Sequence, residues 1–395
     1  MATVHGQCDP RFTAVRDIFA SHLQSGAELG ASIHLTQNGK ALIDLWGGHT
    51  TPSKRTPWEK DTLVVVWSIS KTISALAVLL LIDRGQLTPD TPLADFWPAF
   101  NTPDKRGVLV RHVLAHTAGL PSWDPPITQE ELYDIPLSTD RLVSQKPWWE
   151  PGTKSGYHLI SQGILIGGIV ERVTGKSLAE FVAGEFSGPL GADFHMGMQD
   201  EGGHGRIAEL VPPPPLPAEL FEAGKGAAGE ANIALRAMVG CRLRAEYAAT
   251  PEFRKCGIGS MGGISNARGF NKILEIITHR GMVDGRQFLR PETVDLVFRP
   301  QAEGRDLVLG IPLKMGMGFG LMNGAMEWMP RGQVCFWGGW GGSIALMDLE
   351  RRVTFTYAMN KMELGTLGNS RATDYIKAVY EVLESQKDPG VQSNL

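Results

Sequence analysis

Strand-like sequence stands at both ends of this 395-residue chain, and helix-like sequence fills most of the middle. Residues 31–36 alternate apolar and polar side chains, Asn38-Gly39 follows, and 41–46 read as a second strand. Asn-Gly between two such runs indicates a β-hairpin, because both positions tolerate a positive φ. Far along the chain, 344–348 and 353–359 read as another hairpin. This order predicts a sheet built from both ends of the chain.

The predicted fold class is therefore α/β (α+β), with an antiparallel sheet from both termini flanked by helices and a mostly helical second lobe. We place the sheet domain at residues 1–79 and 263–395. The helical lobe takes residues 80–262 and includes a proline-rich stretch at 211–217, which cannot be helix or inner strand. The short β-branched run 63–66 is predicted to lie beside the first hairpin. A cleft between two lobes is a usual place for a ligand site.

Charge and hydropathy exclude several classes of partner. The chain has 38 Lys+Arg against 42 Asp+Glu, a net charge of −4, and carries no basic stripe, which argues against a nucleic-acid partner. The longest apolar run, 75–82, is far shorter than the ~20 residues that a membrane helix needs, so no membrane association is expected. The expected partner is a small molecule, and the sequence predicts no oligomeric state.

Cysteine usage and the two chain ends bear on the compartment. The four cysteines are scattered without a CxxC pair, and the first residues lack the apolar core of a signal peptide, which together predict a reducing, cytoplasmic location. The last residues, Ser393-Asn394-Leu395, differ at one position from the peroxisomal Ser-Lys-Leu signal. The missing positive charge weakens that signal, so the peroxisome is the second choice.

A serine and a lysine one helical turn apart form the first candidate catalytic pair. If Ser68 opens the apolar helix that follows, Lys71 lies on the same face. The helix N-terminus adds partial positive charge and free N–H groups. A partly dry surrounding shifts the lysine towards its neutral form, so that it can take the proton of a serine nucleophile. The same pattern also fits a capping serine beside a solvated lysine.

Two further segments carry residues that suit this chemistry. Tyr157 follows a Pro-Gly turn and Gly156, and a tyrosine beside a Ser/Lys pair can carry a proton as phenol or phenolate. An ordinary packed tyrosine fits the same position. The glycine-rich segment 337–343 leads into a strand whose edge can offer an N–H group to a developing oxyanion. A plain turn between strands would use the same residues.

Five motifs occur in the order found in the serine β-lactamase-related superfamily, and the chain resembles that group over roughly residues 15–385. The group includes class C β-lactamases, D-alanyl-D-alanine peptidases, family VIII carboxylesterases and lovastatin-type acyltransferases. The motifs are Ser68-Ile-Ser-Lys71, His112-Val-Leu-Ala-His116-Thr-Ala-Gly-Leu120, Trp149-Glu-Pro-Gly-Thr153 with Gly-Tyr157-His158, Ser265-Asn-Ala-Arg-Gly269, and Trp337-Gly-Gly339.

The resemblance implies a role for each matching residue. Ser68 is the acylated nucleophile, Lys71 its base and Tyr157 the partner general acid/base. The backbone N–H groups of Ser68 and Trp340 would form the oxyanion hole. A shifted register would use Ser343 instead, since Trp-Gly-Gly occurs twice in succession. Contacts with substrate are expected from four further residues: Trp337, Gly338, Gly339 and His158.

Two departures from the lactamase pattern favour the esterase and acyltransferase branch. Leu159 stands where the Tyr-x-Asn motif has its amide, and Trp337 stands where lactamases and peptidases have the lysine of Lys-Thr/Ser-Gly. That lysine attracts a substrate carboxylate, so its replacement lowers the expected affinity for β-lactams. The indole adds flat apolar surface for an acyl or ring group.

Other motifs carry weaker signals. The glycines at 257–262 match GxGxxG, but no strand precedes them, so a dinucleotide site is not expected. His112 and His116 have helical i, i+4 spacing without the glutamate of HExxH or a third ligand, which favours a structural helix face over zinc. No cofactor and no metal are predicted.

The sequence therefore predicts a serine hydrolase that cleaves carboxylic esters through an acyl-Ser68 intermediate. An acyltransferase of the same mechanism, acting on a secondary metabolite, is the close alternative, because the two differ only in whether water or a second alcohol takes the acyl group. An inactive binding protein that keeps the scaffold, or a β-lactamase, is a more distant alternative.

Overall fold

A nine-stranded sheet forms the centre of the computed structural model, which describes residues 3–215, 230–324, 326 and 328–385. Its strand order is β1-β3-β2-β14-β13-β12-β11-β10-β9, and every neighbouring pair is antiparallel. The strands are β1 Val4–Cys8, β2 Gly30–Gln37, β3 Lys40–Gly48, β4 Val64–Trp67, β5 Phe194–Met196, β6 Gly263–Ser265, β7 Met282–Val283, β8 Arg286–Gln287, β9 Ala302–Arg305, β10 Pro312–Met315, β11 Gly320–Leu321, β12 Val334–Gly338, β13 Ile344–Asp348 and β14 Val353–Met359.

The two predicted hairpins are confirmed and lie side by side. Asn38 and Gly39 turn β2 into β3 with φ values of 51° and 75°, the left-handed pair that a two-residue hairpin loop requires. Strand β14 pairs with β13 on one edge and with β2 on the other, so that Val353 lies opposite Gln37. Strands from opposite ends of the chain thus pair within one sheet, as the sequence predicted.

Helices cover both faces of this sheet. Thr356 on β14 donates a hydrogen bond to the carbonyl of Ala267 on one face, whereas the next residue, Tyr357, packs against Tyr375 on the other. The described helices are α1 Thr13–Ser25, α2 Ser70–Asp83, α3 Val110–Leu114, α4 Gln129–Tyr133, α5 Ile135–Ser144, α6 Ser161–Thr174, α7 Leu178–Val182, α8 Gly188–Leu190, α9 Glu230–Gly240, α10 Pro251–Lys255, α11 Ala267–Thr278, α12 Pro291–Val297 and α13 Ser370–Ser385.

The run at 63–66 does not lie beside the first hairpin, so that prediction is wrong. Strand β4 joins β6 and β5 in a separate three-stranded sheet of order β4-β6-β5. All four residues of β4 are buried. A short apolar run carries no alternation of side chains that would say which sheet it enters.

Helix α2 runs through the core, and its whole length except the last residue is buried. It packs against α6 and α7 of the helical lobe and also contacts α11, which lies on the main sheet. The division into residues 1–79 with 263–395 and residues 80–262 stays a prediction, and its first boundary falls inside this helix. Within the described residues, no helix combines the length and the apolar character needed to cross a bilayer.

Part of the proline-rich stretch is described: residues 211–215 form neither a helix nor a strand, and Val211 makes an isolated parallel β-bridge to Lys361. The remainder of that stretch, and the last three residues, Ser393-Asn394-Leu395, lie outside the described residues. The peroxisomal interpretation therefore stays a prediction.

Candidate active site

Ser68 lies in the turn that leads from β4 into α2. Ile69 N donates to Val66 O at 3.2 Å, and Lys71 N donates to Ser68 O at 3.1 Å, so the strand passes into the helix without a loop. Trp67, just before the serine, has a φ of 50°, a left-handed conformation that is strained for a residue with a side chain. This turn leaves Ser68 half-buried next to an otherwise buried helix.

Lys71 is held by three oxygen atoms. Its Nζ lies 3.1 Å from Ser68 Oγ, 2.7 Å from Leu159 O and 3.0 Å from Ser260 O. The side chain is buried, and within the described residues no carboxylate lies at salt-bridge distance from it. Burial therefore lowers the pKa of Lys71 well below its ordinary value of 10.5.

Tyr157 reaches the same hydroxyl from the other side. Its phenol oxygen lies 2.8 Å from Ser68 Oγ and accepts a hydrogen bond from the indole N–H of Trp337 at 3.3 Å. Lys71 Nζ lies 4.8 Å from the centre of the tyrosine ring. Burial raises the pKa of Tyr157, and the hydrogen bonds to Ser68 and Trp337 offset only part of that effect. The phenol is therefore protonated at neutral pH.

These contacts form one directed chain of hydrogen bonds. Neutral Lys71 has two N–H groups, which the carbonyls of Leu159 and Ser260 can accept, and one lone pair, which then faces Ser68 Oγ. Ser68 can donate its proton to that lone pair while it accepts a hydrogen bond from the phenol of Tyr157. The arrangement can remove a proton from the serine and supply one to a leaving group.

The hairpin between β12 and β13 lies against β4, the strand that leads to Ser68. A Cβ atom on Gly339 would lie 2.4 Å from Val66 O, so only glycine allows this loop to approach β4 so closely. Trp340 follows in a turn in which Gly342 N donates to Gly339 O at 3.1 Å. The rings of Trp340 and Trp67 are 5.1 Å apart.

That geometry favours Trp340 over Ser343 as the second oxyanion donor. Trp340 is partly exposed and packs beside the residue that precedes the nucleophile, whereas Ser343 is fully buried at the start of β13. Within the described part of the chain, neither the Ser68 nor the Trp340 backbone N–H donates to a protein acceptor. Both groups are therefore available to a substrate oxygen.

His158 does not contact the reaction centre, contrary to its predicted role in substrate binding. The side chain is 0% exposed. Its Nε2 accepts from Leu120 N at 3.1 Å, and its Nδ1 lies 2.7 Å from Gly156 O, so both nitrogens are occupied by backbone groups. Burial lowers the pKa of His158 to about 4. Its neutral ring supports the loop that carries Tyr157.

The other three predicted substrate contacts are also buried. Trp337 is 1% exposed, and its indole N–H serves the phenol of Tyr157 rather than a ligand. A Cβ atom on Gly338 would lie 2.5 Å from Thr366 O, and Gly339 is needed for the approach to β4. These glycines permit close contact between backbones, so the substrate-binding prediction for all three residues is not supported by their placement.

Three residues contact the site in ways that the motifs did not predict. Ser260 belongs to the glycine-rich stretch 257–262, which here supplies a carbonyl to Lys71 rather than binding a nucleotide. Asp306 accepts a hydrogen bond from Tyr157 N at 3.0 Å. His116 lies 4.8 Å from the Tyr157 ring, measured between ring centres. A backbone carbonyl and a lone acidic residue carry no motif, but the Gly-rich context of Ser260 was a usable signal.

The predicted helix face of His112 and His116 is wrong. Helix α3 ends at Leu114, and His116 has a φ of 60°. His116 Nδ1 accepts from His158 N at 3.1 Å, and burial lowers the pKa of His116 well below its ordinary value. The neutral ring packs between Tyr157 and Trp337. Within the described residues, no group of three or more His, Cys, Asp or Glu side chains is placed to hold a metal ion.

Apolar side chains surround the phenol and the indole. We call the following set the site cluster: the buried Ala115, Tyr157, Ala237, Val308, Leu313, Met315 and Trp337, with the partly buried Trp148, Leu159, Ile233, Ala302, Leu309, Met326 and Leu367 packed against them. Its buried members are distinct from the main core, against which Leu159, Met326 and Leu367 also pack. A half-buried apolar surface beside a nucleophile suits an uncharged ligand.

Comparison with known proteins agrees with this geometry. The family model described as Beta-lactamase matches residues 15–380. The Esterase/beta-lactamase LipL of Mycobacterium tuberculosis is 30% identical over 366 residues, which are 91% of this chain and 83% of that protein.

Solved structures agree as well. A family VIII carboxylesterase is similar with a TM-score of 0.88 and 30% identity, covering 96% of this chain and 100% of that one. A penicillin-binding protein homologue from Caulobacter crescentus has a TM-score of 0.87, also at 30% identity and with the same coverage. The β-lactamase/transpeptidase-like fold is thereby confirmed. The chain belongs to the beta-lactamase family, within the serine β-lactamase-related superfamily, and at family level it is a serine hydrolase with esterases among its relatives.

Proposed function

We propose that this protein is a carboxylesterase that hydrolyses neutral esters through an acyl intermediate on Ser68. One observation carries the proposal: Ser68 Oγ lies between the phenol of Tyr157 at 2.8 Å and the amine of Lys71 at 3.1 Å. A hydroxyl flanked by a base and by an acid is set up for nucleophilic attack and for protonation of a leaving group.

Acylation begins with the proton of Ser68 passing to the neutral amine of Lys71 while Oγ attacks the ester carbonyl. The carbonyl oxygen takes the negative charge and accepts hydrogen bonds from the backbone N–H groups of Ser68 and Trp340. The tetrahedral intermediate then collapses. Its alcohol leaves with a proton from the phenol of Tyr157, which recovers one from Lys71, and the acyl group stays on Ser68.

Deacylation repeats these steps with water in place of the alcohol. Water gives its proton to the Tyr157/Lys71 pair and attacks the acyl carbonyl, and the same two N–H groups hold the oxyanion. Ser68 leaves with a proton returned from the pair, and the carboxylic acid is released. The Tyr157/Lys71 pair ends each turnover in its starting protonation state, so protons and charge balance without a cofactor.

The surroundings favour an uncharged substrate. Trp337 occupies the place of the lysine that attracts a carboxylate in lactamases and peptidases, and the site cluster around it is apolar. Arg236 packs on Trp148 of this cluster, with its guanidinium carbon 4.1 Å from the ring centre. Its charge is compensated by an ion pair with Asp124 at 2.5 Å. The names of LipL as an esterase/beta-lactamase and of a family VIII carboxylesterase support ester cleavage.

Labelling with a fluorophosphonate probe, read by intact mass, tests the proposal. We expect the native chain to gain one probe mass and Ser68→Ala to gain none. Ser74→Ala is the matched control, because it lies on the same helix and its hydroxyl is occupied by Gly259 O at 2.7 Å; it should label as the native chain does. Labelling that survives in Ser68→Ala would place the nucleophile at another serine and contradict the assignment, whereas an unlabelled native chain would favour an inactive binding protein.

Partitioning of the acyl-enzyme separates hydrolysis from transfer. With a p-nitrophenyl ester and added alcohols, a hydrolase gives the free acid as its main product at every alcohol concentration. A product ratio that rises with one alcohol favours the acyltransferase alternative. Faster turnover of a β-lactam than of the ester would instead indicate a β-lactamase.

A further inference from the structure

The carboxylate of Asp306 is buried and receives four hydrogen bonds. Its Oδ1 accepts from Tyr157 N at 3.0 Å and from Val308 N and Leu309 N, each at 2.9 Å, and its Oδ2 accepts from Ser155 Oγ at 3.0 Å. The residue is 0% exposed, and within the described residues no cation lies at salt-bridge distance. A buried charge is costly unless hydrogen bonds compensate it, and here neutral donors do so.

These bonds join two distant segments of the chain. Residues 155–157 carry the tyrosine, and residues 306–309 lead from β9 towards β10. A backbone bond from Leu307 N to Ser155 O at 2.9 Å runs alongside the carboxylate. Val308 also packs in the site cluster with Tyr157. The segment around Asp306 is thus attached to the tyrosine through its backbone and through its side chain.

Fixing the backbone of a tyrosine leaves only two torsion angles between that backbone and the phenol ring. The ring of Tyr157 is further confined by His116, 4.8 Å away between ring centres, and by Trp337, which donates to the phenol oxygen. A backbone shift at Tyr157 would therefore move the oxygen that now lies 2.8 Å from Ser68 Oγ.

We propose that Asp306 is a positioning residue for the reaction, which holds the backbone of Tyr157 so that its phenol stays within hydrogen-bond reach of Ser68. The inference rests on the proposed function of Tyr157 as the general acid/base. Asp306 itself touches neither Ser68 nor Lys71, so its effect on the reaction passes through the tyrosine.

The negative charge of Asp306 also acts on Tyr157, by helping to keep its phenol protonated. Burial is the main reason why the pKa of Tyr157 is raised, and the negative charge of Asp306 raises it further. The other titratable groups facing the tyrosine are Lys71, at 4.8 Å from the ring, and His116, and burial lowers the pKa of both. Without the carboxylate, the phenol would ionise more readily.

Steady-state kinetics of two variants test the tether. In Asp306→Ala we expect kcat, per probe-titrated active site, to fall about tenfold or more with KM within about twofold, because three backbone N–H groups lose their acceptor and a misplaced acid/base weakens the transition state more than substrate binding. Asp306→Asn keeps an oxygen that can accept from the same three N–H groups, so its kcat should stay within about threefold of the native value. The matched control is Asp348→Asn, a buried carboxylate bound by Arg351 and Tyr380, which should keep kcat per titrated site.

A titration without substrate reads the link to Tyr157 directly. The protein has six tyrosines, and labelling them with ¹³C at Cζ gives one resonance that disappears in Tyr157→Phe. In Asp306→Asn that resonance should begin to move at lower pH than in the native chain, whereas a purely structural role would leave it in place.

The outcomes separate this inference from the proposed function. An unchanged kcat per titrated site in Asp306→Ala overturns the positioning role, and a Tyr157 titration in Asp306→Asn that begins no earlier than in the native chain overturns the electrostatic link. An inert native chain defeats the proposed function instead, and the titration still reports whether Asp306 governs the tyrosine.

Discussion

At the scale of single residues, the proposed chemistry depends on a lysine that carries no charge. Lys71 is buried among carbonyl oxygens of Leu159 and Ser260, and in the described parts of the chain no carboxylate lies at salt-bridge distance to stabilise an ammonium group. Desolvation therefore favours the neutral amine and lowers the pKa of Lys71 well below 10.5. The same burial raises the pKa of Tyr157 and keeps its phenol protonated, so burial shifts each partner of Ser68 towards the protonation state that its proposed step requires.

The pH dependence of the reaction should report Lys71. Because the amine must be deprotonated to take the serine proton, kcat/KM for a neutral ester should fall as pH falls through the pKa of Lys71, and this acid limb should lie well below pH 10.5. Lys71→Arg keeps a cation that cannot lose its proton and should lose about a hundredfold or more in kcat. An acid limb near the ordinary lysine value, or an arginine variant of near-native rate, would refute this role.

We expect Trp337 to act through the hydrogen bond that its indole N–H group donates to Tyr157, and not through its aromatic surface. Trp337→Phe removes the N–H group that reaches the phenol of Tyr157 at 3.3 Å but keeps an aromatic ring. One such hydrogen bond contributes about 1 kcal/mol, so we expect kcat to fall about fivefold to tenfold with little change in KM. Trp340→Phe is the control, since its proposed contribution is a backbone N–H group. Equal losses in both variants would contradict the distinction.

The order of the motifs was enough to single out Ser68, Lys71 and Tyr157, and in the structure the amine and the phenol each lie within hydrogen-bond distance of the Ser68 hydroxyl. It was not enough for His158, because adjacency in sequence places consecutive side chains in different surroundings: Tyr157 reaches Ser68 while His158 binds backbone groups. The carbonyls that hold Lys71 could not be predicted, since every residue has one and only tertiary packing selects Leu159 and Ser260.

At the scale of elements, helix α6 contacts the loop at residues 259–260, which supplies a hydrogen-bond acceptor to Lys71. A Cβ atom on Gly163 would lie 2.1 Å from Ser260 N, so the helix backbone and the 259–260 segment touch directly. Ser260 O is one of the acceptors of Lys71. The absence of a side chain at Gly163 thus determines where a partner of the lysine lies.

Two glycines on this helix make a matched pair of variants. Gly163→Ala should displace Ser260, lower the free energy of unfolding by about 1–3 kcal/mol through overpacking, and reduce kcat. A Cβ atom at Gly167 would meet no atom within 4 Å. Gly167→Ala should therefore raise the free energy of unfolding by about 0.5–1 kcal/mol, because alanine has a higher helix propensity than glycine, and should leave kcat unchanged. Urea unfolding and ester turnover measure both effects. Similar behaviour of the two variants would show that the close contact at Gly163 is unimportant.

Local signals predicted many of the elements well. The Asn-Gly hairpin and strands β13 and β14 follow from patterns that lie within a few residues. The partner of β4 did not follow, because pairing with β6 is decided by residues about two hundred positions away. Alternation of side chains specifies a strand, whereas long-range packing specifies its neighbour.

At the scale of the whole molecule, a buried ion pair connects the two ends of the chain. Arg371 on α13 donates to Glu28 Oε1 at 2.6 Å and to Ala27 O at 2.8 Å, and Tyr357 on β14 donates to Glu28 Oε2 at 2.5 Å. Glu28 lies in the short connection between α1 and β2. One carboxylate therefore ties a loop, a central strand and the last described helix together.

Breaking this pair should cost stability without affecting the reaction. Arg371→Met leaves the carboxylate of Glu28 buried without its cation, and we expect the free energy of unfolding to fall by about 3–5 kcal/mol. Adding Glu28→Gln should recover part of that loss, because no buried charge is then left without a partner; Glu363, which also pairs with Arg371 at 3.0 Å, is partly exposed. Neither residue contacts Ser68, so kcat per titrated site should stay the same. Urea unfolding of the single and double variants measures the coupling, and strictly additive losses would argue against it.

The position of β14 near the end of the chain also determines when the sheet can be completed during synthesis. Strand β2 can pair with β3 as soon as the first hairpin leaves the ribosome, but its other edge waits for β14, where Gln37 meets Val353. An apolar strand with an open edge is a template for association with other chains. For most of its translation the nascent polypeptide thus carries an unfinished sheet, and we expect the yield of refolding to drop steeply as protein concentration rises.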